Sequence, residues 1–226
     1  MPYWLAGFLW MALLWTPAAW PAACNPVRLA VYDTGIDDHP VARLLTAAYA
    51  AAGVRLEEVE VPLARALLEA DRGHLVDADP GRVREAISGF HNLVLVPEPV
   101  HRLQLAAFVR GDGPEITGWD SLRQHRVIAF GGSISLDRAL TRHGIKDVYR
   151  AEGPPGAALM LLIGRGEVAI LPLVETRAFL AKYNTAVLRP SGPLLIDEPL
   201  YHVLNKRCAH LVDPLARALR RLRTAP

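Results

Sequence analysis

Four residues in one short loop have side chains suited to metal or acid–base chemistry. In VYDTGIDDHPV, residues 31–41, Asp33, Asp37, Asp38 and His39 crowd together after an apolar run. Carboxylates and imidazoles ligate metals, exchange protons, or sit at helix starts and complement their positive end. A calcium loop needs regularly alternating oxygen ligands and a distal Glu. That pattern is absent, and no metal or cofactor is expected. Asp37 and Asp38 stand just ahead of Pro40, which suits a first helical turn, so capping is the simpler role for them.

A second candidate is GGSIS, residues 131–135. A strand-like run, RVIAF, ends there. Gly131 and Gly132 let a backbone approach closely, and Ser133, Ile134 and Ser135 open a helix. Helix N-termini present unpaired N–H groups and a positive dipole, which favours anions; an ordinary serine N-cap without a ligand is the competing role. Arg82, in DADPGRV, could grip a carboxylate through two parallel hydrogen bonds. Asp77 and Asp79 nearby face a cleft or cap the next helix. Glu98, between Pro97 and Pro99, is unusually constrained for a surface acid and is a further cleft candidate.

Enzyme signatures are missing. There is no G-x-S-x-G and no HExxH, and the eight histidines are scattered. A binding protein, not an enzyme, is the expectation.

These residues need elements to position them. VRLAVYD (27–33) reads as a strand, PVARLLTAAYAAAG (40–53) as a helix stopped by Gly53, and VRLEEVEV (54–61) as a strand. PLARALLEADRG (62–73) is helical, HLVDAD (74–79) a short strand, GRVREAISGF (81–90) a short helix, and NLVLVPEPV (92–100) a strand that breaks at its prolines. A second series follows. GWDSLRQH is a turn with a short helix; RVIAF, DVYRAE and VAILPLV are strands separated by helices. TAVLRPSGPLLIDEPLYHVLNKR (185–207) holds two strand-like runs, and DPLARALRRLRTAP (213–226) is an amphipathic helix with a basic outer face. Strand–helix alternation predicts an α/β fold with a mainly parallel sheet. A weak echo, GHLVDA (73–78) against GRGEVA (164–169), predicts two similar halves with a cleft between them.

The chain has 226 residues, 51% of them hydrophobic, which excludes disorder and allows two small lobes. A net charge of +2 with both signs interspersed provides no basic stripe, so nucleic acid is not an expected partner. Residues 1–23 carry no charged side chain and read as a secretory signal peptide, cut after Ala23. Export makes a disulfide between the two cysteines, Cys24 and Cys208, the favoured pairing. The alternatives are a lipoprotein acylated at Cys24, or two unpaired thiols.

Taken in order, VRLAVYDTG, GHLVDADPGRV, NLVLVPEPV, LAAFVR, GWDSLRQHRVIAFGGSIS, GRGEVAIL and EPLYHVLNKR resemble the family-3 extracellular solute-binding proteins of ABC amino-acid transporters. Order and spacing carry the match across nearly the whole mature chain. The resemblance implies a two-lobed periplasmic-binding-protein fold of type II topology. Lobe 1 would be residues 24–107 plus 191–226 and lobe 2 residues 108–190, closing over a small polar ligand. It implies a periplasmic monomer that serves an ABC permease or, alternatively, a membrane sensor; a dehydratase-like enzyme on the same fold is the remaining alternative. Tyr32, Asp33 and Thr34, at the carboxyl end of the first strand, would line the cleft, and GGSIS would hold a ligand carboxylate. The family's serine–arginine run in lobe 1 is missing, and Arg82 is its substitute. Where the family often has an aspartate for the ligand's ammonium, this chain has Pro172; Glu175 is close but falls on the next helix. The ammonium-binding role would then pass to Asp33 or Glu98, or the ligand would lack an amine.

Overall fold

The computed structural model describes residues 24–34, 39–183 and 187–224. The expected signal peptide and the capping pair Asp37 and Asp38 lie outside the described residues. One mixed sheet of eight strands organises the rest, in the order β2-β1-β3-β8-β4-β7-β5-β6. On one wing, β1 (Val27–Val31) pairs in parallel with β2 (Leu56–Glu60) and β3 (Ala78–Arg82). On the other, β5 (Val127–Phe130) pairs in parallel with β6 (Val148–Ala151) and β7 (Val168–Pro172). The wings therefore repeat one strand order. This is the structural content of the echo between residues 73–78 and 164–169. Gly73 and Gly164 both take left-handed backbone, φ 68° and 75°, and both end the helical segment before an inner strand.

Two long strands join the wings. β4 (Leu93–Arg110) and β8 (Leu188–Asn205) run antiparallel through the centre of the sheet. Here the structure corrects the sequence-based expectation twice: the strand over residues 92–100 does not end at Pro97 and Pro99, and the two strand-like runs expected within 185–207 are, among the described residues, one strand, Leu188–Asn205. The β4–β8 register shifts between Leu95 and Pro99 and again between Pro99 and His101. Proline has no N–H to donate, and at a bulge none is required, so the strand continues. The expected short helix at 81–90 is a single 3-10 turn, Arg84–Ile87.

Helices cover both faces. α1 (Pro40–Ala51) and α6 (Val212–Thr224) pack on one face of the first wing. Their apolar stripes, with Leu45, Tyr49, Leu215 and Leu219 fully buried, meet Leu29, Ala78 and Leu204 of the sheet. α2 (Leu63–Arg72) contributes Ala66, Leu67 and Ala70 to a separate core that includes Val76 and Val203. The second wing has its own core. There α3 (Ile134–Arg142), α4 (Gly153–Leu162) and α5 (Leu173–Lys182) enclose a sheet centred on Phe108, Ile128 and Ile170. Near-continuous apolar runs such as VAILP are what a parallel strand covered on both faces requires. Cys24 and Cys208 form a disulfide with a Cα–Cα distance of 5.6 Å, tying the start of the described chain to the 3-10 turn before α6.

Candidate functional site

A cavity of about 290 Å³ lies between the wings, walled by the ends of β1, β3, β5 and β7 and by the starts of α1, α2, α3 and α5. Its lining combines apolar side chains, among them Leu63, Leu103, Phe130 and Leu200, with a few polar groups. That composition is usual for small-molecule sites.

Of the residues singled out from sequence, Tyr32, Thr34, Arg82, Gly132, Ser133, Ile134, Ser135 and Pro172 line this cavity. Four do not. Asp33 is exposed and is not among the lining residues. Glu98 points to α6, where its carboxylate meets Arg220 at 3.2 Å. Asp77 is buried under the disulfide-linked end of the sheet and accepts hydrogen bonds from the Arg28 backbone and side chain, with Arg207 also in contact. Asp79 is fully buried and serves Arg82 instead of the cavity.

Arg82 is less available than a carboxylate-gripping arginine should be. Its Nε and Nη2 donate to Asp79 Oδ2 at 2.9 and 2.7 Å, Nη2 also donates to Leu63 O, and Nη1 donates to Gly132 O at 2.9 Å. Four of its five N–H groups are thus engaged. A register shift between Asp79 and Arg82 on β3 brings the two side chains together. Burial opposes the Arg82 charge, but the Asp79 carboxylate outweighs it and raises the guanidinium pKa. Tyr32 lies under the guanidinium, 5.6 Å from ring centroid to Cζ. Burial, reinforced by Asp79, pushes its phenol well above the ordinary value, so the hydroxyl stays protonated.

The Arg82–Gly132 bond crosses between the wings, and Gly132 makes the crossing possible. Its φ is +89°, and a Cβ there would lie 2.9 Å from the Ala64 backbone nitrogen. Only glycine allows α2 and the β5–α3 loop to meet this closely. Ser133 then caps α3, its Oγ accepting from Leu136 N. The Ser135 hydroxyl donates to Glu198 at 2.6 Å. GGSIS forms a capped helix start facing the cavity, the geometry common to an anion site and to an ordinary serine N-cap, with one of its hydroxyls occupied by the chain's own carboxylate.

Sequence reasoning set Glu175 aside as a residue of the next helix and did not connect it with His39 or His101. Glu175, in the first turn of α5, faces the cavity with a side chain only 12% exposed. His39 Nε2 and His101 Nε2 lie 3.2 and 3.1 Å from the same oxygen, Glu175 Oε1. His39 is the N-cap of α1, His101 stands on β4 just past the proline bulge, and Glu175 belongs to the second wing. Burial works against the Glu175 charge. Hydrogen bonds from His101 and His39 and from its own backbone N–H outweigh it and hold the carboxyl at about 2.

A fully buried histidine supports the floor of the site. His202 Nδ1 donates to Asp79 O at 2.9 Å, and its Nε2 accepts from the Tyr49 hydroxyl at 2.8 Å. Burial lowers its pKa to about 4, against a smaller opposing effect from the Asp79 and Pro80 backbone. The unfolded chain, with an ordinary histidine near 6.5, therefore binds more protons than the fold between these values. This contribution to stability is complete above about pH 6.5 and is lost as pH falls toward 4, by about 3 kcal/mol. Denaturant midpoints at pH 7.5, 5.5 and 4 are expected to fall more steeply for the native chain than for His202→Gln, which keeps a donor and an acceptor but does not titrate. Equal slopes would show that His202 does not carry the acid sensitivity.

No family profile matches the chain. An uncharacterized protein of Shewanella oneidensis is 28% identical over 192 residues, covering 80% of this chain and 69% of that one. Solved structures align over most of the chain at low identity. Holo ArgBP from T. maritima superposes with a TM-score of 0.75 at 18% identity, covering 88% of this chain and 91% of that chain. A histidine kinase sensor domain with similarity to periplasmic binding proteins gives 0.77 at 18% identity over the same shares. The second Venus-flytrap domain of Bordetella pertussis BvgS gives 0.70 at 19% identity, covering 86% of each. These neighbours are binding and sensor proteins, and together with the winged sheet they establish that the chain has the two-lobed periplasmic-binding-protein fold with a cleft between its lobes.

Proposed function

We propose that the protein is an exported solute-binding protein that captures a small amino-acid-like or carboxylate molecule between its lobes and presents it to an ABC permease. The observation that carries this is the composition of the cleft. One cavity receives both the capped N-terminus of α3, which favours an anion, and the buried carboxylate of Glu175, which favours a cation. Apolar walls from Leu63, Phe130 and Leu200 exclude water and take the body of the ligand. Lobe 1 is residues 24–107 plus 191–226 and lobe 2 residues 108–190, with β4 and β8 as the crossings. Tyr32, Thr34, Ser133 and Glu175 are the polar contacts we assign to the ligand, with Arg82 as the support beneath them. A periplasmic location fits the disulfide.

A second reading keeps the fold and changes the output: lobe closure would signal to a membrane receptor. Its support is the similarity to two sensor domains, one of them at the TM-score of 0.77. Neighbouring permease and ATPase genes would favour transport, and a neighbouring kinase or cyclase gene would favour sensing.

The test is thermal unfolding of the full chain made in an oxidising compartment and refolded to remove carried ligand. Amino acids, small carboxylates, amines and sugars are added in turn, with EDTA present. A true ligand at one hundred times its Kd stabilises the native state by about 2.7 kcal/mol and raises Tm with concentration. The shift is expected for one amino acid or carboxylate and is expected to be lost in Ser133→Ala and in Glu175→Gln. No shift across the panel would overturn the solute-capture reading.

A further inference from the structure

The cluster of His39, His101 and Glu175 has a second capability that solute capture does not require. Each residue offers one ligand atom, and the three atoms lie within 4.8 Å of one another. Two of its edges, His39 Nε2 to Glu175 Oε1 at 3.2 Å and His101 Nε2 to Glu175 Oε1 at 3.1 Å, are close to a tetrahedral zinc edge. With Zn–N and Zn–O bonds of about 2.0–2.2 Å, ligand atoms around one ion stand roughly 3.3–3.5 Å apart. The His39 and His101 rings meet edge to face, with centroids 5.6 Å apart at 76°, so their nitrogens converge without the rings stacking. The three side chains are largely buried, at 18%, 23% and 12% exposed, and all three line the cavity.

We propose that His39, His101 and Glu175 form a divalent transition-metal site, suited to Zn²⁺, that fastens the two lobes and leaves one coordination position open to the cleft. Two imidazoles and one carboxylate select a borderline ion over calcium or magnesium, which take oxygen ligands. Three protein ligands with an open fourth position is the arrangement of zinc sites that take up a water or small ligand, unlike closed structural sites. The ion adds two positive charges beside one carboxylate, so it turns this part of the cleft from anionic to cationic. A carboxylate-bearing solute could then complete the coordination.

Metal entry requires a change of tautomer. His39 Nδ1 now accepts from Val41 N at 3.2 Å, so its Nε2 carries the hydrogen that points at Glu175. Binding through Nε2 moves that proton to Nδ1 by way of solvent, and the first turn of α1 gives up the Val41 bond. The His101 hydrogen directed at Glu175 moves in the same way. No proton is lost overall, and no oxidant or reductant is involved.

The experiment uses the full chain from an oxidising compartment, stripped with EDTA and transferred to chelator-free buffer, with Co²⁺ and then Zn²⁺ as probes. One equivalent of Co²⁺ is expected to give the intense visible bands of a four-coordinate ion, and Zn²⁺ is expected to displace it and raise Tm. His101→Gln and Glu175→Gln are each expected to weaken binding at least 100-fold, while His210→Gln, on an exposed turn, leaves it unchanged. Circular dichroism in EDTA checks that each variant is folded, and the native chain's own titration decides the matter if one is not. Absence of a saturable one-equivalent cobalt spectrum in the native chain overturns the proposal, as does affinity unchanged in the folded His101 and Glu175 variants. The solute panel is run in EDTA, so a failure of metal binding and a failure of solute binding are read separately.

Discussion

Replacing Arg82 with methionine is expected to lower the stability of the protein by about 3–5 kcal/mol, whatever it does to ligand binding. The reason lies in what the guanidinium already holds. Asp79 is fully buried, and Arg82 supplies two of its hydrogen bonds. Methionine fills much of the same volume but leaves a buried carboxylate without its counter-charge, and it releases Leu63 O and Gly132 O. Arg82→Lys keeps the charge but cannot reproduce the planar fork, so it should recover less than half of the loss. The double variant Asp79→Asn with Arg82→Met should be more stable than Arg82→Met alone, because the stranded charge is gone. Guanidinium midpoints at pH 7 with unchanged m-values measure all three. If Arg82→Met unfolds within 0.5 kcal/mol of the native protein yet no longer responds to the solute, Arg82 is a ligand residue and its buried network is unimportant.

That prediction bears on how the sequence reads. Arg82 was named as a cleft candidate because an arginine after a strand-like run can grip a carboxylate, with an ordinary surface arginine as the competing reading, and it does line the cavity. Its engagement was not recognisable. The bond to Asp79 depends on a register shift within β3, and the bond to Gly132 depends on how closely the second lobe approaches. Gly132 itself was readable, because two glycines at a strand-to-helix turn imply close backbone approach. What approached, the start of α2, was a tertiary fact.

The alternation of strands and helices, the glycine stops and the repeat between halves are local or periodic signals, and they predicted the architecture well. The long central strands were missed for a specific reason. Pro97 and Pro99 forbid a regular ladder, and only the antiparallel partner β8 reveals that a bulge absorbs them. The same bulge aims His101 toward the cleft. The His39, His101 and Glu175 cluster was therefore invisible in principle: an N-cap, a bulged strand and a first helical turn in the other lobe share no spacing. Glu98 shows the converse. Its rigid Pro-Glu-Pro setting looked functional, but the bulge turns it to Arg220 on the outer helix.

Removing the disulfide by Cys24→Ala with Cys208→Ala is expected to cost about 3–5 kcal/mol. The bridge spans 184 residues, and closing so long a loop restricts the unfolded chain by about 5 kcal/mol in the chain-entropy picture. Native-state effects reduce the observed value, and alanine avoids burying a hydroxyl at Cys208, which is fully buried among Leu211, Leu215 and Leu219. Although the loop contains the whole second lobe, both of its ends lie in the first, on the start of β1 and on the turn that leads into α6. The loss should therefore appear as early exchange of amide hydrogens in β1, α1 and α6, with β5 and β7 keeping their protection. Reduction of the native protein should reproduce the double variant. The same sulfur decides between the two fates of Cys24, since a thioether to lipid and a bridge to Cys208 exclude one another. Denatured, unreduced protein from an exporting cell should contain no free thiol and two after reduction. One free thiol together with the mass of an acyl anchor would establish the lipoprotein form and remove the bridge from the functional protein.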